Sequence, residues 1–233
     1  MLETRRLSAG LDIVVPVYNE EGTVGELIDR VRSACPAAAV IVVDNASTDA
    51  TVDVVRTRDG VRLVRHDRNL GYGASLRHGI EAGTGERVVM IDADLEYFPE
   101  DIPALDAALA GADAVYGSRF LGGTHGARSA LWSLGNRTVT ALFNVLFRQR
   151  LTDLYTGLRG IRRAALPAGA LGATGFAAVL EIAALVARRG GRIVEVPIRY
   201  APRAAGRSKM RHARELVRFV ALLVRLRARA TPR

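Results

Sequence analysis

The sequence predicts an α/β protein whose central sheet is mostly parallel and covered by helices on both faces. Three observations carry that expectation. Short β-branched runs alternate with amphipathic stretches through the first half of the chain. Those runs are almost continuously apolar, as strands buried on both faces are. Polar clusters stand just after three of them: Tyr18-Asn19-Glu20, Asp44-Asn45 and Asp92-Ala93-Asp94. In open parallel sheets ligands gather at the carboxyl ends of strands, so this order alone predicts a pocket there.

The elements follow in turn. Asp12–Val17 (DIVVPV) is a strand, and a helix-period pattern runs from Val24 to Ala34. Ala39–Val43 is the second strand, after which Ser47 or Thr48 is placed to cap a helix reaching Arg56. Val61–Arg65 is a third strand, Asn69–Gly73 a glycine turn and Ala74–Ala82 a helix. Arg87–Ile91 is the fourth strand, with Asp92 and Asp94 at its carboxyl end; a helix over Pro103–Leu109 and a strand from Ala114 to Gly117 follow. Further on, Ser133–Arg148 reads as a helix, Leu158–Ile161 as a short strand and Ala177–Arg189 as a helix. Arg192–Arg199 is a strand that Pro197 assigns to an edge or bulge. A glycine- and arginine-containing loop, Ala201–Met210, precedes a last helix over Arg211–Arg229.

With 49% hydrophobic and 24% charged residues, the chain can bury a sizeable core, which excludes disorder for its bulk. The single cysteine, Cys35, excludes an internal disulfide framework and reads as a small buried hydrophobe. Met1–Gly10 has no apolar run of the signal-peptide kind. No stretch reaches the roughly 20 apolar residues of a spanning helix; the nearest, Leu216–Leu226, is interrupted by Arg218 and Arg225. The net charge of +9 points to an anionic partner: nucleic acid, an anionic membrane or phosphorylated substrates. Acidic residues concentrate in the first half, arginines after Arg119.

Asp92 and Asp94 flank one alanine directly after an apolar strand, where two carboxylates can converge on one cation. Mg²⁺ or Mn²⁺ accepts one or two carboxylates together with phosphate oxygens and water, and neutralises a departing diphosphate. Glu96 is a candidate further ligand, or the holder of a metal-bound water. Taken alone the motif is weak, because acids are routine at helix starts.

It stands in company, however. Asp12–Gly22 reads DIVVPVYNEEG, Ile41–Thr51 reads IVVDNASTDAT, Asn69–Gly73 reads NLGYG and Val89–Asp101 reads VMIDADLEYFPED. With these motifs in this order, the chain resembles the family 2 inverting glycosyltransferases of the GT-A, Rossmann-like fold. It looks most like the dolichyl- or polyprenyl-phosphate mannose and glucose synthases, from about Leu11 to Tyr200.

The resemblance implies roles. Pro16, Tyr18, Asn19 and Glu20 would line the nucleobase and ribose, Asp44 would accept from the base, and Asn69 and Gly73 would complete the donor site. Asn45 stands where relatives often have a second Asp, which leaves base selectivity open. Asp92 and Asp94, with Glu96, would hold the metal, and Asp92 the donor diphosphate. The arginine of Gly117-Ser118-Arg119 would face phosphate, and Arg128 and Ser133 would contact an acceptor phosphate, in a stretch continued by Asn136 and Arg137. Leu151-Thr152-Asp153 and Thr156-Gly157 would lie on the acceptor side. Glu181 matches an acid near the sugar, so that Asp92, Asp94, Arg119 and Glu181 form the expected catalytic set. Arg207-Ser208-Lys209 matches a late basic loop, Lys209 toward the donor and Arg207 toward the acceptor.

One domain is expected, residues 11–210, with a donor half up to about 118 and an acceptor half from 119, after a tail at 1–10 and before a basic amphipathic segment at 211–233. An acceptor hydroxyl needs a general base, for which Glu181 or Asp153 are the candidates; an acceptor phosphate is already anionic and needs arginines instead. The charge asymmetry fits the second case, a polyprenyl phosphate at an anionic membrane, with Arg211–Arg229 lying on the surface, apolar side down, or packing on the core as an ordinary helix. The expected setting is cytoplasmic, peripheral at the inner face of the membrane. A nucleic-acid module is disfavoured, since neither C₂H₂ spacing nor an RNP-like aromatic pattern occurs. No G-x-G-x-x-G follows the first strand, which disfavours a nicotinamide enzyme.

Overall fold

The structure, a computed structural model, describes residues 10–121, 130–201 and 212–228. Its seven strands form one sheet: β1 (Leu11–Val17), β2 (Ala39–Asp44), β3 (Val61–Arg65), β4 (Arg87–Met90), β5 (Ala114–Ser118), β6 (Arg159–Arg162) and β7 (Ile193–Pro197), in the order β3-β2-β1-β4-β6-β5-β7. All neighbours pair in parallel except β6, which runs antiparallel between β4 and β5. The expected mostly parallel sheet is thus met, with one antiparallel strand. The edge position expected from Pro197 is met, because β7 ends the order and pairs only with β5.

Why the strands read as unbroken apolar runs is visible in the alternation of their side chains. Val14, Ile41, Val43 and Met90 enter one core with α3 (Tyr72–Ala82), α5 (Ala130–Phe147), α6 (Ala178–Arg188) and α7 (His212–Ala228). Ile13, Val15, Val42, Val89 and Ile91 enter the other, under α1 (Val24–Ala34) and α4 (Ile102–Ala108). In α1 the positions Val24, Leu27, Ile28 and Val31 follow helical spacing and are all buried. Each such burial contributes about 1.5–3 kcal/mol relative to exposure.

The short helix α2 (Thr51–Arg56) departs from expectation in its cap. Ser47 and Thr48 are engaged elsewhere: Ser47 Oγ accepts from Asn19 N at 2.9 Å, and Thr48 N donates to Asn19 Oδ1 at 2.8 Å. Asp49 Oδ1 instead accepts from Thr51 N at 3.0 Å, and Glu21 Oε2 accepts from Ala50 N at 2.7 Å. Both bonds satisfy amides that the helix itself leaves open.

On α7, Phe219, Leu223 and Leu226 are buried in the core shared with α5 and α6, and the Phe219 ring lies 4.9 Å from that of Tyr155. This corrects the picture of an apolar side laid on a membrane: a face buried against protein cannot also face lipid. No helix among the described residues is long and apolar enough to cross a membrane.

Candidate active site

Strand order reverses at β1, whose connection leads to β2 on one side while β4 closes on the other. That switch point is where the loops after β1 and β4 separate and leave a crevice. A cleft of about 490 Å³ opens there, lined among others by Pro16 at the end of β1, Tyr18 and Glu20 after it, Asn45 after β2, Asp92, Asp94, Glu96 and Tyr97 after β4, and Arg119 after β5. Because β6 is antiparallel, its first residue lies at this same end, which brings Thr156, Gly157 and Arg159 into the cleft wall.

Asp92 is held by a chain of donors. Arg159 Nη2 donates to Tyr72 Oη at 2.6 Å, and Tyr72 Oη donates to Asp92 Oδ1 at 2.7 Å. Since the phenol accepts from a guanidinium, its one hydrogen is left for the carboxylate. A Cβ on Gly157 would collide with Asp92 Oδ2 and the Tyr97 ring, so glycine there leaves the second oxygen its space. Burial, with the charge of Asp94 beside it, raises the Asp92 carboxyl to about pH 6 against the opposing pull of Arg159. Leu95 turns the chain in the left-handed region at φ 59°, which costs of order 1 kcal/mol for a side-chain-bearing residue and lets Glu96 N reach Asp94 Oδ1 at 3.2 Å.

Asp92, Asp94 and Glu96 all line the cleft, but among the described residues no three His, Cys, Asp or Glu side chains gather as a metal-binding group. Two carboxylates, one with an oxygen kept clear by Gly157, still fit an ion that takes its remaining ligands from phosphate and water.

On the first-loop side Pro16, Tyr18 and Glu20 line the cleft, whereas Asn19 does not. Asn19, at φ 55°, clasps the loop after β2 through Ser47 and Thr48. Asp44 is fully buried beneath the lining; its Oδ1 accepts from Ser47 N, and its Oδ2, 3.7 Å from Arg65 Nε, has no hydrogen-bond partner among the described residues. Asn45 takes its place in the wall. Its Oδ1 accepts from Leu70 N at 2.8 Å and meets His66 Nδ1 at 3.0 Å, while its Nδ2 donates to Asn69 Oδ1 at 2.9 Å. The backbone donor fixes the amide, so His66 must donate from Nδ1 and its Nε2 accepts from His78 Nδ1 at 2.8 Å. Asn69 lines the cleft. Gly73 does not: its N donates to Thr174 O at 2.7 Å, and a Cβ would strike Ala173 O and the Ala178 side chain. Its role is close packing of α3 against the loop before α6.

Arg119 is 4% exposed and borders the cleft, but its fork grips Asp153, with Nη1 donating to Tyr97 Oη at 3.0 Å. Burial opposes its charge, and Tyr97 and Asp153 more than offset that, raising its pKa. Asn136 Nδ2 donates to Asp153 Oδ1 at 2.8 Å, and Glu195 on β7 accepts from the amides of Thr152 and Asp153 at 2.8 Å each. The Leu151-Thr152-Asp153 motif is therefore a latch between β5, α5 and β7. Glu181 is 5% exposed and absent from the lining; its Oε2 accepts from Gly172 N and Ala173 N at 2.9 and 2.8 Å, fixing the loop before α6 rather than facing the cleft. Arg128, Arg207 and Lys209 lie outside the described residues, as does the side chain of Ser133 on α5.

Sequence reasoning missed Tyr72, Tyr97, Arg159 and Phe176 in the lining. Tyr72 was legible within NLGYG; Arg159 was hidden because an arginine in an apolar strand reads as an edge residue until the strand's direction is known.

A family model described as glycosyl transferase family 2 matches residues 12–168. An undecaprenyl-phosphate mannosyltransferase of Micrococcus luteus is 33% identical over 212 residues, covering 84% of this chain and 86% of that protein. A polyprenol monophosphomannose synthase of Mycolicibacterium smegmatis is 30% identical over 213 residues, covering 85% and 80%. Among solved structures, glucosyl-3-phosphoglycerate synthase from Mycobacterium tuberculosis, in complex with Mn²⁺, UDP and phosphoglyceric acid, superposes with a TM-score of 0.76 at 22% identity, over 98% of this chain and 83% of that one. That likeness establishes the fold. The model match, over well beyond half the chain, and the two mannosyl-transferring relatives together establish more: the chain belongs to glycosyl transferase family 2 and is a glycosyltransferase.

Proposed function

We propose that this glycosyltransferase moves a hexose, with inversion, from a nucleotide-diphosphate sugar of the GDP-mannose or UDP-glucose type to a polyprenyl phosphate. One observation carries the choice of acceptor. The two carboxylates that the sequence offers as general base for a hydroxyl are both engaged. Asp153 accepts from Arg119 N, Nε and Nη2 and from Asn136, and Glu181 accepts from two loop amides, both of them buried. A phosphate acceptor needs no base. The relatives named for undecaprenyl-phosphate and polyprenol acceptors support the same reading.

In this reading Pro16, Tyr18, Glu20, Asn45 and Asn69 form the nucleotide wall. Asp92 and Asp94 would hold Mg²⁺ or Mn²⁺, which when bound neutralises charge on the leaving diphosphate. Tyr72 fixes the Asp92 carboxylate, Gly157 keeps its outer oxygen accessible, and Tyr97 and Tyr155 exclude water from the cleft wall. Arg119 and Asp153 hold the acceptor-side framework rigid, so that the acceptor phosphate meets the sugar in one orientation. Arg128, Ser133 and Arg207 remain the proposed acceptor-phosphate contacts and Lys209 a donor contact. Membrane association at the inner face would use Val145, Val220 and Val224, exposed on α5 and α7, with Arg225 and Arg227 at head-group level.

The test is transfer from a panel of radiolabelled nucleotide sugars to a short polyprenyl phosphate, with and without Mg²⁺ or Mn²⁺. Metal-dependent, organic-extractable label is the expected result. Label that reaches only a glycan or small hydroxyl acceptor overturns the acceptor assignment.

A further inference from the structure

Arg159 is a fully buried side chain, at 0% exposure, and among the described residues one of its three nitrogens has a partner: Nη2, on Tyr72 Oη. Nε and Nη1 have no hydrogen-bond partner, and no carboxylate forms an ion pair with the group, among the described residues. A guanidinium does not escape this by losing its proton. Asp92 attracts this cation without touching it, but buried N–H donors left without an acceptor are costly, so a fold that keeps them is arranged for an acceptor that arrives.

Its surroundings say what that is. Arg159 is the first residue of β6, in register with Met90 of β4 and Tyr116 of β5, and Met90 and Tyr116 both belong to the core beneath α3 and α6. The cleft wall at this point is Gly71 and Tyr72, at the start of α3, with Gly175, Phe176 and Val179, at the start of α6. The Tyr72 and Phe176 rings stack at 5.1 Å and join the two helix starts. Both helices have eleven residues and direct their positive ends to the same space. Glu181, in the first turn of α6, is turned to the amides of Gly172 and Ala173, and Asp92 is reached only through Tyr72. Two donors of Arg159 therefore face no protein acceptor among the described residues, at a place where two helix starts also present theirs.

We propose that Arg159 is a binding residue for a phosphoryl oxygen of the substrate, taken by one of its two unpartnered nitrogens, Nε or Nη1, between the first turns of α3 and α6 while Nη2 keeps Tyr72, and through it Asp92, in position. This rests on the reading of the cleft as a site for phosphorylated substrates. The phosphoryl group belongs either to the donor diphosphate or to the acceptor, and the experiment separates them.

Titration calorimetry of wild type, Arg159→Met and Arg159→Lys would use UDP and GDP, each with Mn²⁺, and farnesyl phosphate, alongside urea unfolding of each protein. Arg159→Met is expected to weaken one class of probe by about tenfold or more, the scale of a charge-assisted hydrogen bond, and Arg159→Lys to recover part of that. A loss on the diphosphates assigns the donor, a loss on farnesyl phosphate the acceptor. The urea midpoint of Arg159→Met is expected to stay level or rise, because two buried donors without acceptors have been removed; a residue that merely supports the fold would lower it. Unchanged binding of every probe by Arg159→Met, or a loss of binding that only follows a loss of stability, overturns the inference and leaves the cleft's assignment intact. Wild type that binds none of the probes overturns both.

Discussion

Arg119 and Asp153, thirty-four residues apart, meet as a two-armed pair: Nε donates to Oδ2 and Nη2 to Oδ1, each at 2.7 Å, with exposures of 4% and 0% for the two side chains. The arginine of the G-S-R motif is thereby a girder before it is a ligand. Asp153→Ala leaves a buried guanidinium without its counter-charge and is expected to cost about 3–5 kcal/mol in urea unfolding. Arg119→Lys cannot reproduce the fork; it should lower stability while leaving nucleotide affinity nearly unchanged. Equal losses in both quantities would return Arg119 to the ligand side.

Metal affinity should depend on pH in one direction. Asp92 in the metal-free cleft carries its proton up to about pH 6, because of burial and the neighbouring Asp94. A cation must displace that proton, so Mn²⁺ binding should weaken below about pH 6, approaching tenfold per pH unit for one proton. Calorimetric titration across that range checks it, and Tyr72→Phe should alter the profile by removing the bond to Oδ1.

Gly157→Ala places a methyl group against Asp92 Oδ2 and the Tyr97 ring. The collision is with two side chains that line the cleft and not with backbone, so the fold should survive with an overpacking cost of about 1–3 kcal/mol. Mn²⁺ affinity and turnover should fall far more than the thermal midpoint shifts.

Burial, with His78 beside it, holds the His66 imidazole below its ordinary pKa of 6.5. The unfolded chain therefore takes the proton first as pH falls. The contribution of His66 is fully present above about pH 6.5, is lost as pH drops below it, and levels off once the folded pKa is passed. Unfolding midpoints followed from pH 7.5 to about 5 should fall more steeply for wild type than for His66→Asn, which keeps a donor toward Asn45 without titrating.

The two faces of α7 should separate stability from membrane binding. Leu223→Ala, at a position with 0% exposure, is expected to cost about 2–5 kcal/mol. Val224→Asp, at 52% exposure, should leave the unfolding midpoint almost unmoved while reducing sedimentation with anionic vesicles. Unreduced sedimentation would remove α7 from the membrane surface.

The sequence by itself determined the alternation of strands and helices, the two-sided burial of β1, β2 and β4, and the gathering of Tyr18, Glu20, Asn45, Asp92 and Asp94 at one end of the sheet. These are local properties: the period of apolar residues and the polar residues that interrupt it need no partner to be read. The tertiary structure alone decided that β6 runs antiparallel, which turns Arg159 from a strand residue into the floor of the cleft. It alone decided that Asp153 belongs to Arg119 and that Glu181 belongs to the loop at Gly172. It also decided that Asn19 and Gly73 hold neighbouring segments together instead of lining the wall, and that the apolar face of α7 meets α5 and α6. Each of those outcomes depends on which distant group occupies a side chain's hydrogen bonds or covers its apolar surface. A carboxylate or a guanidinium has the same chemistry in the sequence whether it faces substrate or is already paired, and only packing tells the two apart.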